Sequence, residues 1–181
     1  MKTVRHRAVP KFLRDSGAAV RWAKRNLDVE PEDIPGAERW EQWAWLEERA
    51  NEYTSFASAA YAVGEIRVFR MVRVVSVDDI RLDCLGKAWS YEKRGAGVYG
   101  MTQVSRDAGR DVLIEGLVHP RDVDWEYGFA SFVYYGSDQS EVSMLPYSPV
   151  VVTTVDGCAL AEPVVGDTGD AKETWAPESC R

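Results

Sequence analysis

The stretch Ile66-Arg67-Val68-Phe69-Arg70-Met71-Val72-Arg73-Val74-Val75 alternates apolar with basic residues. Alternation with a period of two is typical of a β-strand that buries one face and exposes the other. The residues before this stretch follow a helical period instead. The change of period therefore divides the chain into a helical front and a β-rich back.

The front of the chain is predicted to be helical up to Gly64. Residues 11–27 show a helical pattern that Ser16-Gly17 interrupts, and a longer helix is expected from Gly36 to about Ala62. Apolar residues recur in the longer helix at spacings of three and four, which indicates a face packed against the core. That stripe consists of Trp40, Trp43, Leu46, Ala50, Tyr53, Ala57 and Ala60. Gly64 is expected to end the helix, because glycine suits the left-handed conformation that often follows one.

The back of the chain is predicted to be mostly β. Further strands are expected at 112–118, 131–135, 141–145 and 150–155, with a short extended piece at 123–125 and a short helix or turn at 94–99. From Glu162 the sequence is rich in Gly, Asp, Glu and Pro, which is typical of a disordered segment. The prediction is an α+β protein with three parts: an N-terminal helical segment (1–63), a β-rich core (64–161) and a disordered acidic tail (162–181).

Composition narrows the classes of protein that fit. The 181 residues are 45% hydrophobic and 28% charged, which is ordinary for a globular protein. No apolar run approaches the roughly 20 residues of a membrane span, and the N-terminus lacks the apolar core of a signal peptide. The three cysteines are scattered, so we expect neither a metal site nor a disulfide framework. These features favour a protein of the reducing cytoplasm without membrane partners.

Charge is distributed unevenly along the chain. Residues 1–25 contain eight Lys and Arg against the single acid Asp15, and since the whole chain carries −7, the remainder carries −14. A basic arm on an acidic body can dock on nucleic acid or on an acidic protein. It can equally be a solvated helix face that neutralises its own domain. The acidic remainder argues against a strong non-specific grip on a long duplex.

Three short segments carry the chemistry. They are Val68-Phe69-Arg70 in the first strand, the run Leu85-Gly86-Lys87-Ala88-Trp89-Ser90, and Gln139-Ser140-Glu141-Val142 at the start of a later strand. Taken singly, the arginine, the serine and the glutamate of these segments are ordinary strand residues. Their order resembles the Arg-Ser-Glu signature of the ADP-ribosyltransferase fold, over roughly residues 64 to 155. The resemblance implies a split β-sandwich that binds NAD and breaks its nicotinamide–ribose bond.

The resemblance also assigns roles to residues. Arg70, which follows an aromatic residue as in the family motif, would hold an NAD phosphate, and a guanidinium suits that task because it grips oxygens with a planar fork. Glu141 would stabilise the oxocarbenium-like ribose, and Ser90 would orient both Glu141 and the ribose. Gly86, Trp89 and Tyr99 complete the expected NAD site, with Tyr99 stacking on nicotinamide. Many members carry Ser-Thr-Ser where this chain reads Trp89-Ser90-Tyr91, a variant similar to bacterial and phage relatives; the threonine and second serine of the inner hydrogen-bond network are absent here.

The acceptor is suggested by the residues before Glu141. Family members with glutamine two positions before the glutamate modify asparagine, cysteine or a guanine base, and Gln139 occupies that position. A neutral amide can hydrogen-bond a carboxamide or a base edge but is a poor base toward a guanidinium. Tyr134 and Tyr135 lie where the family's target-recognition loop carries an aromatic residue, so they are further candidates for acceptor contact.

The expected function is mono-ADP-ribosyl transfer from NAD to a macromolecule, either a protein side chain or a nucleic-acid base. A phage or bacterial intracellular effector fits the small size and composition, and it would act in the host cytoplasm if encoded by a phage. Two alternatives remain open: an inactive member of the fold that acts as an inhibitory binding protein, and an NAD glycohydrolase. The sequence contains no standard glycine-rich phosphate loop, no GxSxG nucleophile motif, and no metal-ligand spacing around His6 or His119.

Overall fold

The computed structural model describes residues 5–27, 39–82, 85–100, 109–135 and 140–169. Four helices are present in this part of the chain: α1 (Ser16–Asn26), α2 (Arg39–Val63), α3 (Lys93–Gly100) and α4 (Trp125–Tyr135). Six strands accompany them: β1 (Ile66–Val74), β2 (Ala88–Ser90), β3 (Arg110–Val118), β4 (Glu141–Ser143), β5 (Pro149–Val155) and β6 (Cys158–Asp167). No helix of the described ranges is long and apolar enough to cross a membrane.

Local sequence signals set the ends of the first two helices. The Asp15 side chain caps α1 by accepting a hydrogen bond from the Ala18 amide at 2.7 Å. Ser16-Gly17 therefore lies at the start of α1 and separates it from the 3₁₀ turn Lys11–Leu13. Gly64 ends α2 with φ of +85° and donates its amide to the Ala60 carbonyl, as predicted. The first predicted residues of this helix, 36–38, lie outside the described residues.

The strands form one antiparallel sheet in the order β4-β2-β1-β3-β5-β6. Strand β1 pairs with β3 along its whole length, from Ile66 opposite Val118 to Val74 opposite Arg110. On its other side β1 pairs with β2 at a single position, Phe69 opposite Ser90. The prediction of a strand in the alternating segment is confirmed, and so is the α+β class. The narrow β1–β2 junction leaves β2 and β4 as a small unit at the edge of the sheet.

Two groups of buried residues hold the layers together. One lies on the sheet and is aliphatic, with Val68, Val112, Ile114, Val150 and Val152 fully buried. The other lies between α2 and α4 and is aromatic: Tyr53, Trp125, Phe129 and Phe132. Each fully buried aliphatic or aromatic side chain stabilises the fold by about 1.5–3 kcal/mol through apolar burial. Most of the stripe predicted in α2 belongs to this core: Leu46, Ala50, Tyr53, Ala57 and Ala60.

Residues 131–135 are helical, and the prediction of a strand there is wrong. They form the second half of α4, whose start is capped by Asp124: the Oδ1 atom accepts from the Tyr127 amide at 3.1 Å. Trp125, Phe129 and Phe132 recur at helical spacing and are buried. The aromatic and β-branched composition favours strands only as a local tendency, which tertiary packing overrides here. The extended piece at 123–125 is reduced to one bridge, Val123 opposite Met144, before α4 begins.

The predicted boundary of a disordered tail at residue 162 is also wrong. Strand β6 runs to Asp167 and pairs with β5 from Pro149 opposite Asp167 to Val155 opposite Cys158. Its end is fixed by the Leu85 amide, which donates to the Asp167 carbonyl at 2.8 Å. The following Thr168 is buried and accepts the Ser148 amide at 2.9 Å. Backbone pairing thus orders a segment that contains Gly, Pro and acidic residues; the rest of the predicted tail, residues 170–181, lies outside the described residues.

Candidate functional site

The sheet places the three chemical segments on neighbouring strands. Ser90 on β2 lies opposite Glu141 on β4 and opposite Phe69 on β1, so the three positions form a row across the sheet. Directly paired residues project to the same face, with Cβ atoms about 5 Å apart. Ser90 and Glu141 are therefore neighbours on one face, which we call the Glu141 face. Arg70 is the next residue after Phe69 on β1.

Helix α4 packs over Glu141 and donates a hydrogen bond to its side chain. The Glu141 side chain is buried, and its Oε2 atom accepts a hydrogen bond of 2.6 Å from the Ser131 hydroxyl. Hydrogen bonds to an ionised carboxylate are among the stronger ones in proteins. Ser131 was not among the predicted site residues, because residues 131–135 were predicted to form a strand. An Asp124 cap followed by aromatic residues at helical spacing is the signal that points to a helix there.

The Ser90 hydroxyl is engaged with its own chain. Its Oγ atom donates to the Glu92 carbonyl at 2.7 Å and accepts from the Glu92 amide at 3.0 Å. This serine turn ends β2 and leaves the side chain fully buried. The hydrogen bond that the resemblance assigned to Ser90 is thus supplied to Glu141 by Ser131 in this structure. Ser90 fixes the strand end beside the carboxylate.

Arg70 lies on the opposite face of the sheet. Successive strand residues point to opposite sides, and Arg70 follows Phe69, which shares the Glu141 face. Its guanidinium lies 6.0 Å from the centre of the Trp89 ring and donates a hydrogen bond to the Ala88 carbonyl. Gly86 provides the room for it, since a Cβ there would stand 2.8 Å from the Arg70 Nη2 atom. Gly86 and Trp89, expected at the NAD site, therefore cluster with Arg70.

The Arg70 charge is buried without a counter-ion in the described part of the chain. The side chain is 5% exposed, and its Nε atom has no hydrogen-bond partner there. Burial lowers the pKa of Arg70 to about 10, because water no longer stabilises the charged form. An unpaired buried cation is costly, and an approaching anion would relieve that cost. This is the electrostatic property expected of a phosphate anchor.

Aromatic residues surround the Glu141 face. Tyr91 donates its amide to the Ser140 carbonyl at 2.9 Å and stacks on Phe56 at 4.6 Å. Ser140, directly before Glu141, has φ of +43°, a conformation that non-glycine residues rarely adopt. Burial raises the pKa of the Tyr53 phenol well above its usual range, and the nearby Glu141 charge raises it further. The Tyr53 hydroxyl has no hydrogen-bond partner among the described residues.

Arg49 is a further cation on this side of the molecule. Its guanidinium lies 5.3 Å from the Phe132 ring centre and 5.5 Å from the Trp45 ring centre. Phe132 follows Ser131, the partner of Glu141, and Arg49 is only partly buried. Arg49 was not among the predicted site residues, because a single arginine on a long helix carries no signal of its own.

The remaining candidates lie around this site or beyond the described residues. Tyr134 is on the last turn of α4 and is 49% exposed, and Tyr135 is the final residue of that helix. Tyr99 belongs to α3, but its side chain is outside the described part of the structure, and so is the whole of Gln139. The described residues contain no group of three His, Cys, Asp or Glu side chains that could hold a metal ion.

No protein-family model matches the chain, and neither a curated protein nor a solved structure shows significant similarity to it.

Proposed function

We propose that this protein transfers ADP-ribose from NAD to a macromolecular acceptor. The observation that carries the proposal is the row across the sheet, in which Glu141 on β4 pairs with Ser90 on β2. Strand β2 in turn pairs with the strand that bears Arg70. The order of these residues on adjacent strands supports the proposal for Glu141 and Ser90, while the Arg70 side chain projects from the opposite face of the sheet.

The chemistry requires a fixed negative charge beside the ribose. In the proposed reaction the bond between ribose C1′ and the nicotinamide nitrogen breaks, and nicotinamide leaves with the electron pair. The acceptor's nucleophile then bonds to C1′ and loses its proton. Glu141 stabilises the positive charge that develops on the ribose, and the 2.6 Å bond from Ser131 holds the carboxylate in place. Fixed electrostatic groups of this kind contribute several kcal/mol to catalysis.

Two arginines are candidates for the pyrophosphate of NAD. Arg70 has the buried, unpaired charge that favours an anion, and it lies where β1 and β2 pair at only one position. Arg49 is accessible and lies on the Glu141 side. We propose Arg49 as the phosphate anchor, because it lies on the same side as Glu141, whereas Arg70 projects from the opposite face of the sheet. NAD affinity measured by calorimetry for the matched variants Arg49→Gln and Arg70→Gln tests this choice: a larger loss for Arg70→Gln would transfer the role to Arg70.

One observation favours a different function. Glu141 is only 8% exposed and is covered by α4, an arrangement that also suits an inactive member of the fold acting as an inhibitory binding protein. The experiment that separates the candidates uses the full chain, NAD labelled in its adenylate half, and a bacterial lysate. Label on protein or nucleic acid supports transfer. Free labelled ADP-ribose alone indicates an NAD glycohydrolase, and unchanged NAD indicates the binding protein.

A further inference from the structure

The surface formed by the 3₁₀ turn Lys11–Leu13 and helix α1 concentrates positive charge around aromatic rings. A cavity of about 270 Å³ opens on it. The charged and aromatic residues that line this cavity are Lys11, Arg14, Arg21, Arg25, Phe12 and Trp22, which we call the basic surface. Arg21 and Arg25 are four residues apart in α1 and therefore lie on one face of that helix, and Arg14 lies just before it.

The cations of the basic surface are compensated only in part: Glu47 and Glu48 of α2 line a neighbouring cavity together with Arg21. Only Arg14 is in an ion pair within the described ranges, with its exposed neighbour Asp15 at 2.9 Å. Exposed pairs of this kind contribute little free energy and yield readily to a competing anion. Asp15 is also the only acidic residue in the stretch 5–27. A basic residue in the last turn stabilises a helix C-terminus, which accounts for Arg25 but not for Lys11 or Arg21.

The aromatic pair beside these cations is fixed to the body of the protein. Phe12 and Trp22 stack with their ring centres 4.7 Å apart and an interplanar angle of 26°. Both rings also contact Phe129 of α4, at 6.1 and 5.8 Å. Each of the two remains partly exposed. An exposed ring held rigidly by the core can accept a stacking partner without losing further conformational freedom.

We infer that the basic surface binds single-stranded nucleic acid. The cations contact phosphates, and an unpaired base stacks on the exposed part of Trp22. Proteins that bind single strands combine a basic groove with aromatic rings in this way, because every base presents a face for stacking. An acidic peptide would use the cations but gain nothing from the ring. A duplex hides its base faces and would also approach the acidic remainder of the chain. The inference is independent of NAD chemistry.

The first test measures binding of a fluorescein-labelled 15-nucleotide deoxythymidine strand to the full chain by fluorescence anisotropy. With three phosphates contacted, affinity should fall about 20-fold between 50 and 200 mM salt. Arg21→Gln/Arg25→Gln should weaken binding at least tenfold at 50 mM salt. The matched control Arg67→Gln/Arg110→Gln removes the same charge from exposed positions on the sheet and should change affinity less than twofold. Equal losses in the two double variants would overturn the inference.

The second test examines the aromatic ring. Binding should quench tryptophan fluorescence in the wild type, and Trp22→Phe should remove the quenching while keeping most of the affinity. Trp22→Leu should weaken binding about fivefold or more, the low end of what one base stack contributes. Melting curves of both variants show whether the fold is kept. If poly-glutamate of similar length displaces the strand at equal concentration and binds without quenching, the surface serves an acidic protein and the nucleic-acid assignment fails.

Discussion

At the scale of single residues, the position of Glu141 depends on a helix residue. The Ser131 hydroxyl donates to the Glu141 carboxylate at 2.6 Å, while the hydroxyl of Ser90 is bonded to Glu92. The order of the short segments along the sequence predicts Glu141 and Ser90 as candidates, and the structure pairs these two residues on neighbouring strands. Sequence order cannot identify Ser131, because that contact arises only when α4 packs over β4.

Replacing Ser131 tests whether it positions the carboxylate. Ser131→Ala should lower the rate of transfer about tenfold without changing the KM for NAD, since a hydrogen bond to a charged group contributes about 1.5–3 kcal/mol. Alanine is a better helix former than serine, so the melting temperature should not fall greatly. Ser131→Thr retains the hydroxyl and should restore most of the rate. A loss of rate that threonine does not restore would contradict the positioning role.

The buried Tyr53 hydroxyl leads to a prediction about stability and pH. It lacks a partner among the described residues, so Tyr53→Phe should raise the free energy of unfolding by about 1 kcal/mol or more at neutral pH. The folded state keeps the phenol protonated above its ordinary pKa of 10.0. The unfolded state then binds fewer protons, so the wild type loses stability as the pH rises above 10. Melting curves from pH 7 to 11 should show the stabilisation by Tyr53→Phe growing above pH 10; a constant difference would contradict this account.

At the scale of elements, the helices and strands with a regular hydrophobic period could be predicted from the sequence. Those that depend on packing or pairing with neighbouring elements could not. Strand β1 alternates with a period of two, and α2 ends at a glycine, so both were predicted correctly. Helix α4 was missed because its aromatic residues favour strands locally, while its cap and its burial against α2 make it helical. Strand β6 was missed because its second half begins a stretch rich in Gly, Pro and acidic residues, and that composition says nothing about pairing along β5.

Truncation tests how far the ordered chain extends. A chain ending at Gly157 loses β6 and the hydrogen bonds of Asp167 and Thr168 to Leu85 and Ser148. Its melting temperature should fall by about 10 °C, since a loss of 1 kcal/mol lowers it by about 2–4 °C in a protein of this size. A chain ending at Gly169 keeps these contacts and should melt within about 2 °C of the full protein. Equal melting of the two truncations would show that β6 is not part of the stable fold.

At the scale of the whole molecule, the basic surface and the Glu141 face both adjoin helix α4. The small β2–β4 unit joins the main sheet at one residue pair, and α4 covers its Glu141 face. Helix α1 and the preceding 3₁₀ turn contact α4 at a different residue, where Trp22 and Phe12 pack against Phe129. Helix α4 thus connects the basic surface with the carboxylate. Counting charges along the sequence identifies the basic segment. The stacking of Phe12 on Trp22 beside these cations is visible only in the structure.

The measurement that tests the proposed function most directly is ADP-ribose transfer by Glu141→Gln. The substitution keeps the shape of the side chain and removes the charge that stabilises the ribose cation, so transfer of label from NAD should fall by about 10²–10³-fold. NAD affinity and melting temperature should stay close to those of the wild type, and the exposed control Glu65→Gln should retain full activity. A Glu141→Gln protein that labels its acceptor at nearly the wild-type rate would contradict the assignment of this site.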